Sequence, residues 1–366
     1  MGKTITVHYD EKPLYNITIE RDFGKLRQVL EEVALTGRKA CIVTDSHVGA
    51  HYAEEVQAIV SQTASYVDTF TFPAGEASKT LDVIADLYEH LIQKHFDRKD
   101  FLIALGGGVV GDMTGYAAAT YLRGIKVIQV PTSLLAMVDS SIGGKTGVDF
   151  RGYKNMVGAF HQPSAVYMNL ATLQTLTEEQ YYSGFGEIIK HGLIKDMDYF
   201  SLVQQNTEQL CKRDLDALEQ VVYGSCEIKR KVVENDPKEQ GERALLNFGH
   251  TLGHAIEKLK DFQLLHGECV AIGSVAAAFL SKSRGYLAKE EFRLIKDTFQ
   301  QLRLPVSVKG VKPEDVVRVS KSDKKMNAGQ IRFILLESLG HAVMMDDVSD
   351  QELLEAVCAV EGDPTC

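Results

Sequence analysis

The fold is decided at Phe101-Leu102-Ile103-Ala104-Leu105-Gly106-Gly107-Gly108-Val109-Val110-Gly111-Asp112. An apolar run of strand length passes into three glycines and then into a segment with the character of a helix. The spacing matches G-x-G-x-x-G, in which glycines let backbone N–H groups approach a pyrophosphate at a helix N-terminus. Tight turns also collect glycines, so the motif alone leaves a purely structural interpretation open.

Strands and helices alternate around this turn. The pattern predicts strands at 40–45, 66–72, 101–105 and 126–131, helices at 24–35 and 80–94, and a hairpin at 3–8 and 14–19. Such alternation is typical of a parallel sheet covered by helices, so we expect a Rossmann-like α/β domain over residues 1–176. Helical periodicity then dominates from 178 to about 303, which predicts a mainly α-helical domain over 177–366. A late apolar run at 331–336 is expected to form a small hairpin with 341–345.

Two further loops carry polar groups at predicted strand ends. Asp45 ends one strand, where a carboxylate could bind a ribose hydroxyl, and Glu76 and Lys79 lie in a loop that opens a helix. Taken singly, Glu76 and Lys79 could be ordinary N-terminal helix residues. Together with the glycine turn, the three loops fit one dinucleotide along one sheet edge.

Several cations lie among glycines or apolar residues. Gly143-Gly144-Lys145-Thr146 resembles part of a phosphate loop, but the full G-x-x-x-x-G-K-T spacing fails because position 139 is Asp. The net charge of -10 argues against general nucleic-acid binding, which needs a basic surface. An acidic chain that gathers Lys145, Lys154 and Arg123 in such settings is expected to bind an anion such as phosphate.

Histidines and a glutamate suggest a metal. His250 and His254 are four residues apart, on one face of a predicted helix, and His266 follows after a short loop. Upstream, a predicted helix at 185–194 carries Glu187 and, one turn later, Lys190. One Glu and two His form a known ligand set for catalytic zinc. Glu187 and Lys190 could instead be a plain ion pair, and the histidines a surface pattern.

Cellular location is inferred from composition. The six cysteines include no CxxC pair, and Cys41 and Cys269 lie in apolar stretches, as expected of small buried hydrophobes in a reducing compartment. The most apolar stretch, 269–280, is shorter than the ~20 residues that span a bilayer. The N-terminus has no apolar signal core. We therefore expect a cytoplasmic protein without a membrane partner.

The motifs together resemble the 3-dehydroquinate synthase family of sugar-phosphate cyclases. The matching segments run in family order between residues 40 and 270: 106–115, 131–146, 154–155, 186–190, 225–229, 243–257 and 266–268. The tail after 285 matches loosely. The resemblance implies an NAD-binding α/β domain followed by a helical domain that binds metal and substrate. It implies conversion of 3-deoxy-D-arabino-heptulosonate 7-phosphate to 3-dehydroquinate and phosphate, a step of the shikimate pathway, with recycled NAD and zinc or cobalt.

The resemblance also assigns residues around the metal and the substrate. The implied metal ligands are Glu187, His250 and His266, and His254 is a candidate proton-transfer group beside them. The implied substrate contacts are Asp139, Lys145, Asn155, Lys190, Lys229, Arg243 and Asn247. A further phosphate contact, near the end of the sequence, would come from Lys324 or Lys325.

The resemblance also implies a set of residues that line the NAD-binding site. Its residues are Asp45, Glu76, Lys79, Gly107, Gly108, Asp112, Thr132, Ser133, Lys145, Lys154, Thr172 and Thr175. Ser133 stands where many relatives have threonine, which keeps the hydroxyl. Arg123 would reach the site of a neighbouring subunit, so a homodimer is expected.

Three alternatives stay open at this stage. A metal- and NAD-dependent polyol dehydrogenase of related fold would release NADH and would not need the cluster of cations. A sister sugar-phosphate cyclase would make an inosose or valienol-type product. A non-catalytic domain of the same fold would have no need to retain every candidate ligand.

Overall fold

The computed structural model describes residues 2–322 and 332–362 and contains two compact units, Met1–Leu176 and Thr177–Cys366. Within these described ranges, no helix combines the length and hydrophobicity needed to cross a lipid bilayer.

The first unit is an α/β structure. Its strands are β1 (Lys3–Tyr9), β2 (Lys12–Glu20), β3 (Lys39–Asp45), β4 (Tyr66–Phe72), β5 (Phe101–Gly106), β6 (Lys126–Pro131), β7 (Lys145–Phe150), β8 (Tyr153–Phe160) and β9 (Ala165–Asn169). Its helices are α1 (Leu26–Glu32), α2 (Ser46–Val60), α3 (Leu81–Gln93) and α4 (Gly108–Thr120).

Seven strands form one sheet in the order β1-β2-β9-β6-β5-β3-β4, in which only the β1–β2 pair is antiparallel. From β3 the chain first adds β4 on one side and then β5, β6 and β9 on the other. The order therefore reverses between β3 and β5. Open α/β sheets bind ligands at the carboxyl ends of the strands that flank such a reversal. Asp45 and the glycine turn lie at those two ends.

Strand β5 is a continuous apolar run because both of its faces are buried. Leu102 and Ala104 face a core shared with α3 and α4, whereas Phe101, Ile103 and Leu105 face one shared with α1 and α2. Both faces of the strand are thus covered, and no polar residue is tolerated on either.

Helix α2 and several other local structures of the first unit were not predicted. The segment after Gly144 forms an antiparallel hairpin, β7–β8, rather than a phosphate loop. A π-helical turn covers Ala136–Ser140, and β9 lies inside the sheet between β2 and β6. The predicted N-terminal hairpin is confirmed as β1–β2.

The second unit is mainly helical, which confirms that expectation. Its helices are α5 (Glu178–Ser183), α6 (Phe185–Lys195), α7 (Met197–Gln205), α8 (Thr207–Cys211), α9 (Leu215–Asn235), α10 (His250–Leu259), α11 (His266–Ser283), α12 (Lys289–Gln301), α13 (Pro313–Ser322) and α14 (Asp350–Cys358). A hairpin of β10 (Phe333–Ser338) and β11 (His341–Met345) is present, as predicted. The first predicted residue of that hairpin, Ile331, lies outside the described residues.

Candidate active site

A buried carboxylate and two imidazole rings meet in the second unit. Glu187 lies in the first turn of α6, and its side chain is 0% exposed. His250 begins α10 and His266 begins α11. Nε2 of each histidine lies 3.4 Å from the same oxygen, Oε1 of Glu187. One ligand atom from each residue falls within 4.8 Å of the others, so the three could hold a single ion.

Glycines allow the three helices to approach closely enough. A Cβ at Gly253 in α10 would lie 2.6 Å from the carbonyl oxygen of Cys269 in α11, and one at Gly186 in α6 would lie 2.4 Å from that of Gly267. Any larger residue would push these helices apart. Gly186 and Gly253 are therefore packing requirements of the site.

The protonation states suit metal binding. Nδ1 of His250 lies 3.1 Å from the carbonyl oxygen of Phe248, so this nitrogen carries the proton and Nε2 has the lone pair. Burial and the nearby Lys190 ammonium hold the pKa of His250 well below its usual value. Burial alone would raise the pKa of Glu187, but Lys190 and the two histidines hold it well below its usual value. The cluster thus offers one anionic and one neutral ligand in fixed states.

The carboxylate of Glu187 and the two imidazoles suit a divalent metal ion. Both carboxylate oxygens of Glu187 are buried, and Oε1 accepts no hydrogen bond of good geometry. Such a group is costly unless another partner compensates it. Lys190 is ion-paired with Oε2, whereas Oε1 faces the two imidazoles. A cation bound by Oε1 and both Nε2 atoms would supply the missing partner with the ligands of a catalytic zinc site.

His254 lies beside this cluster but more exposed. Its ring centroid is 5.0 Å from that of His250 and 5.8 Å from that of His266. An exposed imidazole next to the candidate ligands can exchange protons with a bound molecule.

Buried cations occupy the elements around α6. Lys190 donates to the carbonyl oxygen of Leu246 at 2.6 Å. Lys229 in α9 is 5% exposed and Arg243, in the 3-10 turn Glu242–Asn247, is 2% exposed. Both elements pack against α6. Burying three cations in neighbouring elements is unfavourable unless anions compensate them. The family resemblance had assigned all three to substrate contacts.

Glu239, an acidic loop residue that the sequence analysis missed, contacts Asn247, one of the predicted substrate-binding residues. Nδ2 of Asn247 donates to Oε1 of Glu239 at 3.0 Å, and Nη1 of Arg243 donates to the carbonyl oxygen of Pro237 at 2.8 Å. Asp236 holds this loop, because its Oδ2 accepts from the backbone N–H groups of Gly241 (2.7 Å) and Arg243 (3.1 Å). In the sequence, a single loop glutamate is indistinguishable from a solvated one.

The first unit carries a second polar cluster, centred on Lys79. Its Nζ donates to Oδ2 of Asp112 at 2.7 Å and to Oδ1 of Asn155 at 2.6 Å, and lies 4.0 Å from Oε1 of Glu76. Nζ of Lys154 also lies 4.0 Å from that oxygen. Burial alone would lower the pKa of Lys79, but Asp112 and Glu76 raise it above its usual value. A residue predicted to bind substrate, Asn155, is thus in direct contact with one predicted to bind NAD.

The strand ends have the expected local geometry. Helix α4 begins at Gly108, directly after the strand, and a Cβ at Gly107 would lie 3.4 Å from Oγ of Ser133. Oδ1 of Asp45 accepts from the backbone N–H groups of His47 (2.8 Å) and Val48 (2.9 Å), so this carboxylate caps α2. The capping role leaves the second oxygen as the candidate for a ribose hydroxyl.

Threonines line the neighbouring strand ends. Oγ1 of Thr172 donates to the carbonyl oxygens of Thr132 (3.3 Å) and Asn169 (2.8 Å). Oγ1 of Thr175 lies 2.6 Å from the hydroxyl oxygen of Tyr52. These contacts join the ends of β6 and β9 to α2.

Three other candidates belong to further elements of the first unit. Asp139 lies half-buried in the π-helical turn, Lys145 is exposed at the start of β7, and Arg123 is exposed in the 3-10 turn Tyr121–Arg123. Lys324 and Lys325 lie outside the described residues.

Two of the solved structures that share this architecture are sugar-phosphate cyclases. The chain superimposes with a TM-score of 0.88 and 26% identity on 2-epi-5-epi-valiolone synthase from Streptomyces hygroscopicus subsp. jinggangensis 5008, solved with NAD+ and Zn2+ bound, covering 97% of this chain and 99% of that one. A 2-deoxy-scyllo-inosose synthase complexed with carbaglucose-6-phosphate, NAD+ and Co2+ shares the fold at a TM-score of 0.85 and 23% identity, covering 97% and 99%.

Sequence comparison narrows this class to one family. Residues 69–183 match the family model described as 3-dehydroquinate synthase N-terminal, and residues 184–326 match the C-terminal one. A 3-dehydroquinate synthase from Acetivibrio thermocellus is 41% identical over 349 residues, which cover 95% of this chain and 97% of that protein. The chain belongs to the 3-dehydroquinate synthase family. The predicted fold class and family are therefore confirmed, and the chain is an enzyme of that family.

Proposed function

We propose that the chain converts 3-deoxy-D-arabino-heptulosonate 7-phosphate to 3-dehydroquinate and inorganic phosphate, with catalytic NAD and a divalent metal. It would thus be a phosphate-eliminating lyase of the shikimate pathway, which leads to chorismate and the aromatic amino acids. The observation that carries the proposal is the cluster of the buried Glu187 with His250 and His266, which shares its unit with the buried cations Lys190, Lys229 and Arg243.

The second unit would bind the metal and orient the substrate. Glu187, His250 and His266 would hold Zn2+ or Co2+, which would polarise a substrate hydroxyl and lower its pKa. His254, exposed beside the ligands, would accept and return a proton at that hydroxyl. Lys190, Lys229, Arg243 and Asn247 would bind the anionic groups of the substrate, because their positive charges and N–H groups are already positioned there.

The first unit would bind the dinucleotide, which supplies reversible hydride transfer. Backbone N–H groups at Gly107 and Gly108 would face its pyrophosphate at the start of α4. Asp45 would bind a ribose hydroxyl. The Lys79 cluster would complete the lining with Glu76, Asp112 and Lys154, and Thr132, Ser133, Thr172 and Thr175 would add hydroxyl groups.

The remaining assignments in this unit concern the substrate and a second subunit. Asn155, bonded to Lys79, would link the cofactor lining to the substrate, which Asp139 and Lys145 would also contact. Lys145 would reach the cofactor as well. The exposed position of Arg123 supports a contribution to the site of a neighbouring subunit, so we propose a homodimer. We also propose a cytoplasmic location, as expected of an enzyme in which three of the five cysteines within the described ranges are buried thiols.

Phosphate release tests this function. The full chain is incubated with the heptulosonate phosphate, and inorganic phosphate and absorbance at the NADH band are followed together. Release that requires both NAD and Zn2+ or Co2+, without stoichiometric NADH accumulation, is the expected result. Accumulation of NADH in proportion to substrate would indicate a dehydrogenase instead, and release without added or bound metal would overturn the metal assignment.

A further inference from the structure

The carboxylate of Glu187 presents two different sides to its surroundings. Oε1 lies 3.4 Å from Nε2 of both His250 and His266. Oε2 is ion-paired with Lys190 and lies 3.9 Å from Nε2 of His191. His191 follows Glu187 by one helical turn and is 0% exposed. One oxygen is thus directed at the metal ligands and the other at the interior of the protein.

A carboxylate does not keep such an orientation unaided. The terminal torsion of a glutamate side chain has broad, roughly two-fold preferences, so the plane of the carboxylate rotates readily. The Lys190 ammonium attracts Oε2, but a compact ammonium with three rotatable donors gives little directional control. A fixed orientation needs a second contact at Oε2 from a rigid group.

The imidazole of His191 is such a group. Its Nδ1 lies 2.7 Å from Oγ of Ser225 in α9, and both side chains are fully buried. The hydroxyl of Tyr199, which donates to the carbonyl oxygen of Val221 at 2.6 Å, is a second neighbour of the Ser225 hydroxyl. Donation from Ser225 to Nδ1 gives this buried imidazole nitrogen a hydrogen-bond partner.

That hydrogen bond selects a tautomer of His191. If Nδ1 accepts from Ser225, the ring proton of the neutral imidazole resides on Nε2, the nitrogen that faces Glu187. An N–H directed at a carboxylate is favourable in a dry interior, whereas the opposite tautomer would direct a lone pair at the anion.

We propose that His191, oriented by Ser225, is a positioning residue for Glu187. It keeps Oε2 turned toward the protein interior, so that Oε1 stays directed at His250 and His266. His191 is not itself a ligand in this proposal. The inference rests on the proposed metal site, whose ligands it organises in the way that outer partners of metal-binding residues do.

Metal affinity tests the proposal directly. Binding of Zn2+ and Co2+ to the metal-free full chain is measured by competition with a chromophoric chelator, for the unsubstituted protein and for His191→Phe, Ser225→Ala and His191→Gln. Loss of an outer partner typically weakens binding ~10–100-fold, so His191→Phe and Ser225→Ala are expected to fall in this range. His191→Gln should recover part of the affinity, because its amide N–H can still face Glu187.

A matched control separates orientation from general stability. Tyr181→Phe removes a buried hydrogen bond of 2.6 Å to the carbonyl oxygen of Leu210 in the same unit, at a side chain that is 0% exposed. It should lose stability yet bind metal as the unsubstituted protein does. The visible spectrum of bound Co2+ should change in His191→Phe and stay unchanged in Tyr181→Phe.

The outcomes are distinguishable. Unchanged affinity and an unchanged Co2+ spectrum in His191→Phe and Ser225→Ala would overturn the positioning role while leaving the proposed function intact. Failure of the unsubstituted protein to bind either metal would overturn the metal site itself. If His191→Phe does not fold, the smaller change Ser225→Ala decides the question alone.

Discussion

Lys190 and Glu187, one helical turn apart in α6, form an ion pair that solvent does not reach, with side chains 1% and 0% exposed. Removing either partner of a buried ion pair leaves the other charge uncompensated, which is strongly destabilising. A metal bound at Oε1 would add positive charge to the same carboxylate. Metal binding and the stability of the protein are therefore linked through Glu187.

Metal should stabilise the protein through this carboxylate. Adding Zn2+ to the metal-free protein at ~100 times its dissociation constant should raise the free energy of unfolding by about 2.7 kcal/mol. Glu187→Gln removes the anionic ligand, so the increase should disappear. Calorimetric melting with and without Zn2+ measures both. Glu234→Gln, in α9 and paired with Arg230, should keep the increase; an equal increase in Glu187→Gln would exclude Glu187 as a ligand.

Lys190→Met should make stability depend more strongly on metal. In the metal-free state it leaves Glu187 as an uncompensated buried charge, at a cost of about 3–5 kcal/mol. A bound cation would replace the missing positive charge, so urea unfolding should show a larger metal-induced stabilisation than in the unsubstituted protein. Lys195→Met, on the same helix, removes a partly exposed ion pair with Glu242 and should leave the metal-dependent part unchanged. A smaller metal effect in Lys190→Met would contradict this account.

The sequence predicted those parts of the fold that depend on local pattern. The buried strand β5 and the amphipathic helix α3 follow from apolar spacing, because each element buries a defined face. The hairpin β7–β8 was missed, since its glycines and charges favour a loop when only neighbours in sequence are considered. Strand β9 lies between β2 and β6 because it pairs with both. Its partner residues in β2 are more than 100 positions away in the sequence, so no local pattern predicts this pairing.

The candidate site was predictable to a similar extent. Spacing placed His250 and His254 on one helix face and indicated His266 and Glu187 as further candidates. The choice of His250 and His266 as the two imidazole ligands came from the family resemblance. Spacing could not predict that both histidines approach one oxygen, which results from close contact of glycines in different helices. His191 and Glu239 carried no signal either, since a residue that acts through a neighbour is recognised only when that neighbour's position is known.

The glycine turn yields a test of the cofactor site. A Cβ at Gly107, whose φ is -75°, would make an ordinary contact of 3.4 Å with Oγ of Ser133. Gly107→Ala should therefore fold normally but bind NAD at least ~10-fold more weakly, because the methyl group covers the helix N-terminus. NADH fluorescence titration measures the change.

The neighbouring glycine, Gly106, provides a contrasting variant that should affect stability. A Cβ at Gly106 would lie 2.4 Å from Cγ2 of Val110, so Gly106→Ala should lose roughly 1–3 kcal/mol of stability through overpacking. Unchanged NADH affinity in a folded Gly107→Ala protein would show that the dinucleotide does not approach this turn.

The helix that carries His266 is anchored at its other end by an acid-sensitive contact. Arg284, just after α11, donates from Nε to Oε1 of Glu352 at 2.7 Å and from Nη2 to Oε2 at 3.1 Å. Oε2 also accepts from the backbone N–H of Ser349 at 2.8 Å, which caps α14. The hydrogen bonds from Arg284 lower the pKa of Glu352 to about 2.

Glu352→Gln should therefore destabilise the protein in a pH-dependent way. A carboxyl group whose pKa is depressed on folding stabilises fully above its unfolded pKa of about 4.5 and progressively less as pH falls toward 2. The pair is partly exposed, so the loss at pH 7 should be roughly 1–2 kcal/mol, and urea unfolding at several pH values should show it shrink below pH 4.5. Glu355→Gln, on the same helix and bonded to Gln351, should show little effect. A constant loss between pH 7 and pH 3 would mean that Glu352 acts through shape rather than charge.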